Sequence, residues 1–158
     1  MKAFILILAI TTIFCQFDFE DTFDDGQEDF LKMLATEGGS PVDLTSCLEN
    51  PTFIILNKKV DPTEILKGQS IKIKVLGQMK EQTTVQKLHL VTLYNDGVIF
   101  EDNVDKKNEV VPKGGKYIYE YEASVPTFTP AGEWNIYLYL VNSENANISC
   151  LKAHFAMN

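Results

Sequence analysis

Past residue 50, apolar side chains recur in two patterns only: strict alternation and short unbroken runs. "QSIKIKVLG" (69–77) sets Ile71, Ile73 and Val75 against Lys72 and Lys74, the period-two signature of a strand with one dry and one wet face. "KYIYEYEASV" (116–125) alternates Tyr117, Tyr119 and Tyr121 with Ile118, Glu120 and Glu122. In "EWNIYLYLV" (133–141), Trp134, Ile136, Leu138 and Leu140 share one side, and Tyr137, Tyr139 and Val141 the other. "TFIILNK" (52–58) has a continuous apolar centre, and "ISCLKAHFAM" (148–157) closes the set. "QKLHLVTLYNDGVIF" (86–100) reads as two strands around the tight-turn sequence Asn95-Asp96-Gly97. About seven strands result, separated by Gly, Pro, Asn and Asp turns, with no helical period between them. That pattern predicts an all-β, antiparallel β-sandwich.

The N-terminal third behaves differently. "MKAFILILAITTIFC" carries one positive charge, Lys2, ahead of an apolar run too short for a comfortable membrane span. It reads as a secretory signal peptide over 1–16, cut after Cys15 or Gln16. Residues 17–45 hold nine acidic side chains and one Lys, with Phe17, Phe19, Phe23, Phe30, Leu31, Met33 and Leu34 among them. "DDGQEDFLKMLATEGG" fits a short amphipathic helix stopped at Gly38, and equally a flexible or processed pro-segment. "GGSPVD" reads as a linker. The expected organisation is signal peptide 1–16, acidic segment 17–44 and β-sandwich 45–158.

Charge narrows the choice of partners. The chain has 158 residues and a formal net charge of −8, but the acidity belongs to the N-terminal segment. Residues 46–158 hold 13 acidic side chains and 12 Lys, and the whole chain has no Arg. Nucleic acid is not expected as a partner, since there is no basic surface to meet its phosphates. Beyond Cys15, only Cys47 and Cys150 remain, and in a secretory compartment two cysteines imply one disulfide. Asn147-Ile148-Ser149 is a glycosylation sequon in that compartment, whereas the proline spoils Asn50-Pro51-Thr52.

No catalytic constellation assembles. His89 and His154 lie in separate strand segments and read as ordinary strand residues. No phosphate-binding glycine loop or metal-ligand spacing occurs, and no free thiol is left as a nucleophile. Asp102, Asp105 and Glu109 are read as one solvated acidic loop, lacking the spacing of a calcium site. Neither an enzyme nor a cofactor is expected. The surplus is hydrophobic: several strands look apolar on both faces, which fits a filled core with an aromatic outer face. Periodicity alone does not reveal a cavity.

Several segments in order resemble the ML lipid-recognition family, which includes the small luminal Niemann-Pick type C cholesterol-transfer protein and phosphatidylglycerol/phosphatidylinositol transfer proteins. They are the opening Cys47, "ILKGQSIKIKVLG", "HLVTLYNDGVIFEDN", "VVPKGGKYIYEYEASVP" and "AGEWNIYLYLVNSENANISCLKAHFAM". The resemblance covers nearly all of 45–157. It departs at the family's middle disulfide, since Val111 stands before Pro112 and no cysteine occurs in 101–110.

The resemblance implies an immunoglobulin-like sandwich whose splayed sheets hold a lipid in a cavity between them. It implies a sterol or phospholipid as ligand, transient membrane contact, a membrane lipid-transfer protein as candidate partner, and a monomer. The location would be secreted or in the lumen of endosome, lysosome or vacuole. By position, Phe100 falls at the pocket, and Pro126 and Phe128 in the loop at its mouth. Ile73, Val75, Leu90, Tyr119, Tyr121, Trp134, Ile136 and Leu138 are the expected lining, each of which serves equally as plain core. The runner-up is a non-lipid immunoglobulin-like adhesion or receptor-partner module.

Overall fold

A computed structural model describes residues 40–158. The signal peptide and the acidic segment up to residue 39 lie outside the described residues. Ten antiparallel strands follow one another: β1 (Ser40–Pro41), β2 (Asp43–Ser46), β3 (Phe53–Asp61), β4 (Glu64–Ile65), β5 (Ser70–Met79), β6 (Thr83–Tyr94), β7 (Gly97–Val111), β8 (Lys116–Ser124), β9 (Gly132–Asn142) and β10 (Asn147–Met157). A five-stranded sheet runs β2-β10-β9-β6-β7, a three-stranded sheet runs β3-β5-β8, and β1 pairs with β4. The expected all-β sandwich is what forms.

The alternation written in the sequence sets the layers. In β5, Ile71, Ile73, Val75 and Met79 are buried, while Lys72 points to solvent. In β9, Ile136, Leu138 and Leu140 face the core, and Tyr137 and Tyr139 stack on each other on the outer face at 6.1 Å. Burying one such face drives the fold, at roughly 25 cal/mol per Å² of apolar surface removed from water. The Asn95-Asp96 turn takes positive φ at both residues (45° and 66°), as a two-residue hairpin matched to strand twist requires.

Two sequence expectations change. Residues 101–110, read as an acidic loop, continue β7 to Val111, so Asp102, Asp105 and Glu109 sit on a strand. β7 is an edge strand, wet over most of both faces, so it shows no alternation. Its ladder with β6 is broken near Gln86, opposite Lys107 and Asn108, which take positive φ. The stretch read as a linker forms β1 and the start of β2, and β2 pairs with β10 from Asp43 to Ser46.

Candidate functional site

Between the sheets, the inner row of β8 faces that of β10 and β9. Of the expected lining residues, Ile73, Val75, Leu90, Tyr119, Ile136 and Leu138 are buried here, and Tyr121 and Trp134 pack partly buried against them. Ile73, Val75, Leu90 and Leu138 are 0% exposed, so side chains fill the space beside them. The open slot that the resemblance implies is therefore closed by interdigitation. An apolar gap would forfeit the dispersion contacts that these chains make across it. A cleft of about 140 Å³ does lie beside the disulfide, lined by Leu48, Pro51, Phe53, Ile55, Ser149 and Cys150. That is smaller than the roughly 300–1,000 Å³ of ordinary ligand pockets.

One end of the sandwich gathers the residues expected at a mouth. The loop between β8 and β9 is pinned on both flanks. Val125 exchanges backbone hydrogen bonds with the turn before β5, through Gly68 N–H to its carbonyl (2.7 Å) and its own N–H to Gln69 (2.8 Å). On the other flank, Tyr94 donates to the Ala131 carbonyl (2.8 Å), the Trp134 indole to Pro130 (3.2 Å), and the Asn95 N–H to Glu133 (3.0 Å). Thr129 donates its hydroxyl to the Pro126 carbonyl (2.7 Å), turning the loop tip. From this braced loop, Phe128 projects 84% exposed, and Pro126 is exposed beside it. The hairpin tip next to the loop carries Val98, Ile99 and Phe100, all exposed. Val98 and Ile99 were missed in the sequence, where they read only as strand.

Phe100 pairs with Thr92, Asp102 with Leu90 and Val104 with Leu88, which places all three on the inward side of β7. The edge of β7 therefore faces the edge of β8. Electrostatics trace this seam. Burial pushes the Tyr117 phenol up to about 12, and Glu109 adds to the shift. Burial raises Tyr121 too, helped by Asp102. Burial lowers the Lys106 ammonium, while Glu120 and Glu109 oppose the shift. Yet among the described residues no hydrogen bond or ion pair joins β7 to β8. The opposite seam is fastened by Lys58 on β3, which donates to the Leu44 carbonyl on β2; beside it the Cys47–Cys150 disulfide, with Cα atoms 5.0 Å apart, ties the residue after β2 to β10 within the five-stranded sheet.

Away from the seams, both histidines lie on the outer face of the five-stranded sheet. His89 stacks on Tyr139 and meets Asn103 (3.2 Å). His154 contacts Asn135 (2.9 Å) and Glu133 (3.2 Å). Asn147 is exposed at the start of β10. Among the described residues, no three metal-ligating side chains cluster, and no helix is long and apolar enough to cross a membrane.

No protein-family profile matches the chain. In sequence it is 29% identical over 108 residues to a Dictyostelium discoideum protein provisionally named a phosphatidylglycerol/phosphatidylinositol transfer protein, covering 65% of this chain and 74% of that one. In fold it resembles the Niemann-Pick type C2 protein of the Japanese carpenter ant (TM-score 0.58, 14% identity, 73% of this chain and 99% of that one). It also resembles chicken MD-1, solved with lipid IVa (TM-score 0.55, 12% identity, 78% and 94%). The immunoglobulin-like sandwich is thus established by likeness as well as by its own strands.

Proposed function

We propose, for a chain that resembles the ML lipid-recognition family in sequence and fold, that it is a lipid carrier. It takes a sterol or phospholipid between its sheets, shields it from water and releases it at a membrane. The observation that carries this reading is the unequal fastening of the two seams. An apolar interior is crossed by no hydrogen bond or ion pair along β7–β8 among the described residues, and Phe100 stands 48% exposed at the top of that seam. Separating the sheets there exposes only side chains that a lipid covers again, at roughly 0.8 kcal/mol per buried methylene. The provisional name of the Dictyostelium relative and the lipid on chicken MD-1 support a lipid as the occupant.

Carriage needs no bond-making step, metal or cofactor, so the protein acts as a non-enzyme with the lipid as its ligand. Phe128 and the Val98–Phe100 tip meet the membrane during exchange, and a membrane lipid-transfer protein is the partner class that suits this end. The protein works as a monomer, secreted or in an endolysosomal or vacuolar lumen, with Cys47–Cys150 oxidised and Asn147 glycosylated. The filled interior favours the second reading, a non-lipid adhesion or receptor-partner module. Protein purified without detergent, extracted and examined by mass spectrometry, is expected to carry or take up lipid and to move it between vesicles. A protein that carries none, takes up none and moves none is the adhesion module instead.

A further inference from the structure

β7 is 15 residues long and, among the described residues, has a neighbour on one side only. From Phe100 to Asp105 it runs in unbroken register with β6. The Asn103 N–H donates to the Asp102 carboxylate (2.8 Å), so it is turned away from β6 towards the open edge. In an antiparallel strand the N–H and C=O of one residue point the same way, and the direction alternates along the chain. Glu101, Asn103 and Asp105 therefore offer their backbone groups to the edge, while Asp102 and Val104 offer theirs to β6.

Charge on this stretch is segregated about Val104. Glu101 and Asp102 precede it, and Lys106 and Lys107 follow it. Among the described residues, neither Asp102 nor Lys106 has an ion-pair partner. Charges commonly guard an edge strand against pairing. Segregated in this way, they instead match a reversed copy of themselves.

We propose that β7 pairs antiparallel with β7 of a second copy of this chain, with the two-fold axis at Val104. Asp102 then lies opposite Lys106 of the second copy, and Lys106 opposite its Asp102. Asn103 and Asp105 of one copy exchange backbone hydrogen bonds with Asp105 and Asn103 of the other, through groups that already face the edge. Repulsion fixes the register. An axis at Asn103 would set Glu101 opposite Asp105, and an axis at Asp105 would set Glu101 opposite Glu109. Like charges directly opposite are destabilising. The contact is self-complementary, so it closes at a dimer. Positive φ at Lys107 and Asn108 ends the straight edge, which keeps the interface small and the dimer weak. The inference goes beyond the carrier reading and does not need it: the monomer carries, and the pair exchanges with it reversibly.

Sedimentation equilibrium of the full secreted protein, at low salt and up to about 1 mM, is expected to show monomer–dimer exchange. D102K and K106D each set like charges opposite at both symmetric places and are expected to weaken the dimer about tenfold. The two single variants mixed together are expected to recover it, because each supplies the charge that the other lacks. V104C is expected to cross-link on oxidation, since the axis residue meets itself in a non-hydrogen-bonded pair, where side chains come closest. N103C, one residue off the axis, is expected to cross-link far less. The pairing is overturned by a native protein that stays monomeric throughout, by single reversals that leave association unchanged, by mixed variants that stay apart, or by equal cross-linking of V104C and N103C. None of these measurements involves lipid, so the carrier reading stands or falls on its own test.

Discussion

The two open sides of the sandwich are closed by different means. On the β3–β10 side, Lys58 on β3 donates to the Leu44 carbonyl on β2 across the sheets, while the Cys47–Cys150 bridge and the Cys47 N–H to Cys150 carbonyl bond (3.0 Å) pin to β10 the residue from which the chain leaves β2 towards β3. On the β7–β8 side, apolar contact is crossed by no hydrogen bond or ion pair among the described residues, and charges act only at a distance, Asp102 on Tyr121 and Glu109 on Tyr117. In the lipid-carrier reading, a sandwich built this way would part along one side and pivot on the other. Fastening both sides would make a stiffer domain that no lipid could enter, and fastening neither would let the sheets drift apart.

The sharpest way to break this comparison is to undo the fastened side. The disulfide closes a chain separation of 103 residues. Chain entropy assigns such a loop about 4–5 kcal/mol, with measured values often lower. C47A/C150A is therefore expected to show the largest loss of thermal stability of any change considered. An unchanged melting temperature would mean that the bridge adds nothing to the closure of that side. Next comes G77A. A Cβ at Gly77 would overlap the Phe53 ring and the Ile54 carbonyl, and Phe53 lines the cleft beside the bridge. Overpacking of this kind costs about 1–3 kcal/mol, read as a lower urea midpoint. A midpoint that does not move would show that Phe53 has room to retreat and that this side is softer than its links suggest.

The fastened side was largely legible in the sequence and the open side was not. Cys47 and Cys150 announce their pairing by number and compartment, and the alternation in 69–77 and 133–141 announces which rows turn inward. β7 carries no such signal. Its residues from Gly97 to Val110 are mostly wet on both faces, so a strand with Asp102, Asp105 and Glu109 looks like an acidic loop. Edge strands lose the period because only one neighbour and half a core constrain them. The burial of the Tyr119 and Ser149 hydroxyls was invisible for another reason. Tyr119 reads as one of three alternating tyrosines, and Ser149, 30 residues away, comes from the other sheet.

At the mouth, the open side is expected to show in function rather than in stability. Phe128, at 84% exposure, contributes little to folding, and F128A should change stability by less than about 0.5 kcal/mol. If Phe128 enters the membrane during exchange, its lost burial is worth about 1.5–3 kcal/mol, or at least tenfold in vesicle-to-vesicle transfer. F100A, at the inward edge of β7, should likewise depress uptake more than folding. Transfer rates unchanged in both variants would move the mouth away from this end of the sandwich.

The smallest expected effect probes the charge that reaches across the open side. Burial would raise the Glu120 carboxyl, but hydrogen bonds from Lys72 (2.8 Å) and Lys74 (2.9 Å) outweigh it and hold it below its ordinary value of 4.5. A depressed carboxyl stabilises the fold above its unfolded value and loses that contribution as pH falls through its folded value. The difference in stability between the native protein and E120Q should thus be full at neutral pH. It should shrink as pH drops below 4.5 and vanish under the folded value. With Lys72 and Glu120 side chains 48% and 38% exposed, solvent screening limits the difference to about 1 kcal/mol at most. Both lysines lie on β5, in the same sheet as Glu120, so these ion pairs stiffen one layer without tying the two together. Lys106 feels Glu120 from the other sheet, and removing that attraction is expected to loosen β7 from β8. Lipid transfer by E120Q should therefore hold steady or rise. A fall would mean that the charge on Glu120 helps to load the lipid, and that the open side is gated by more than apolar contact.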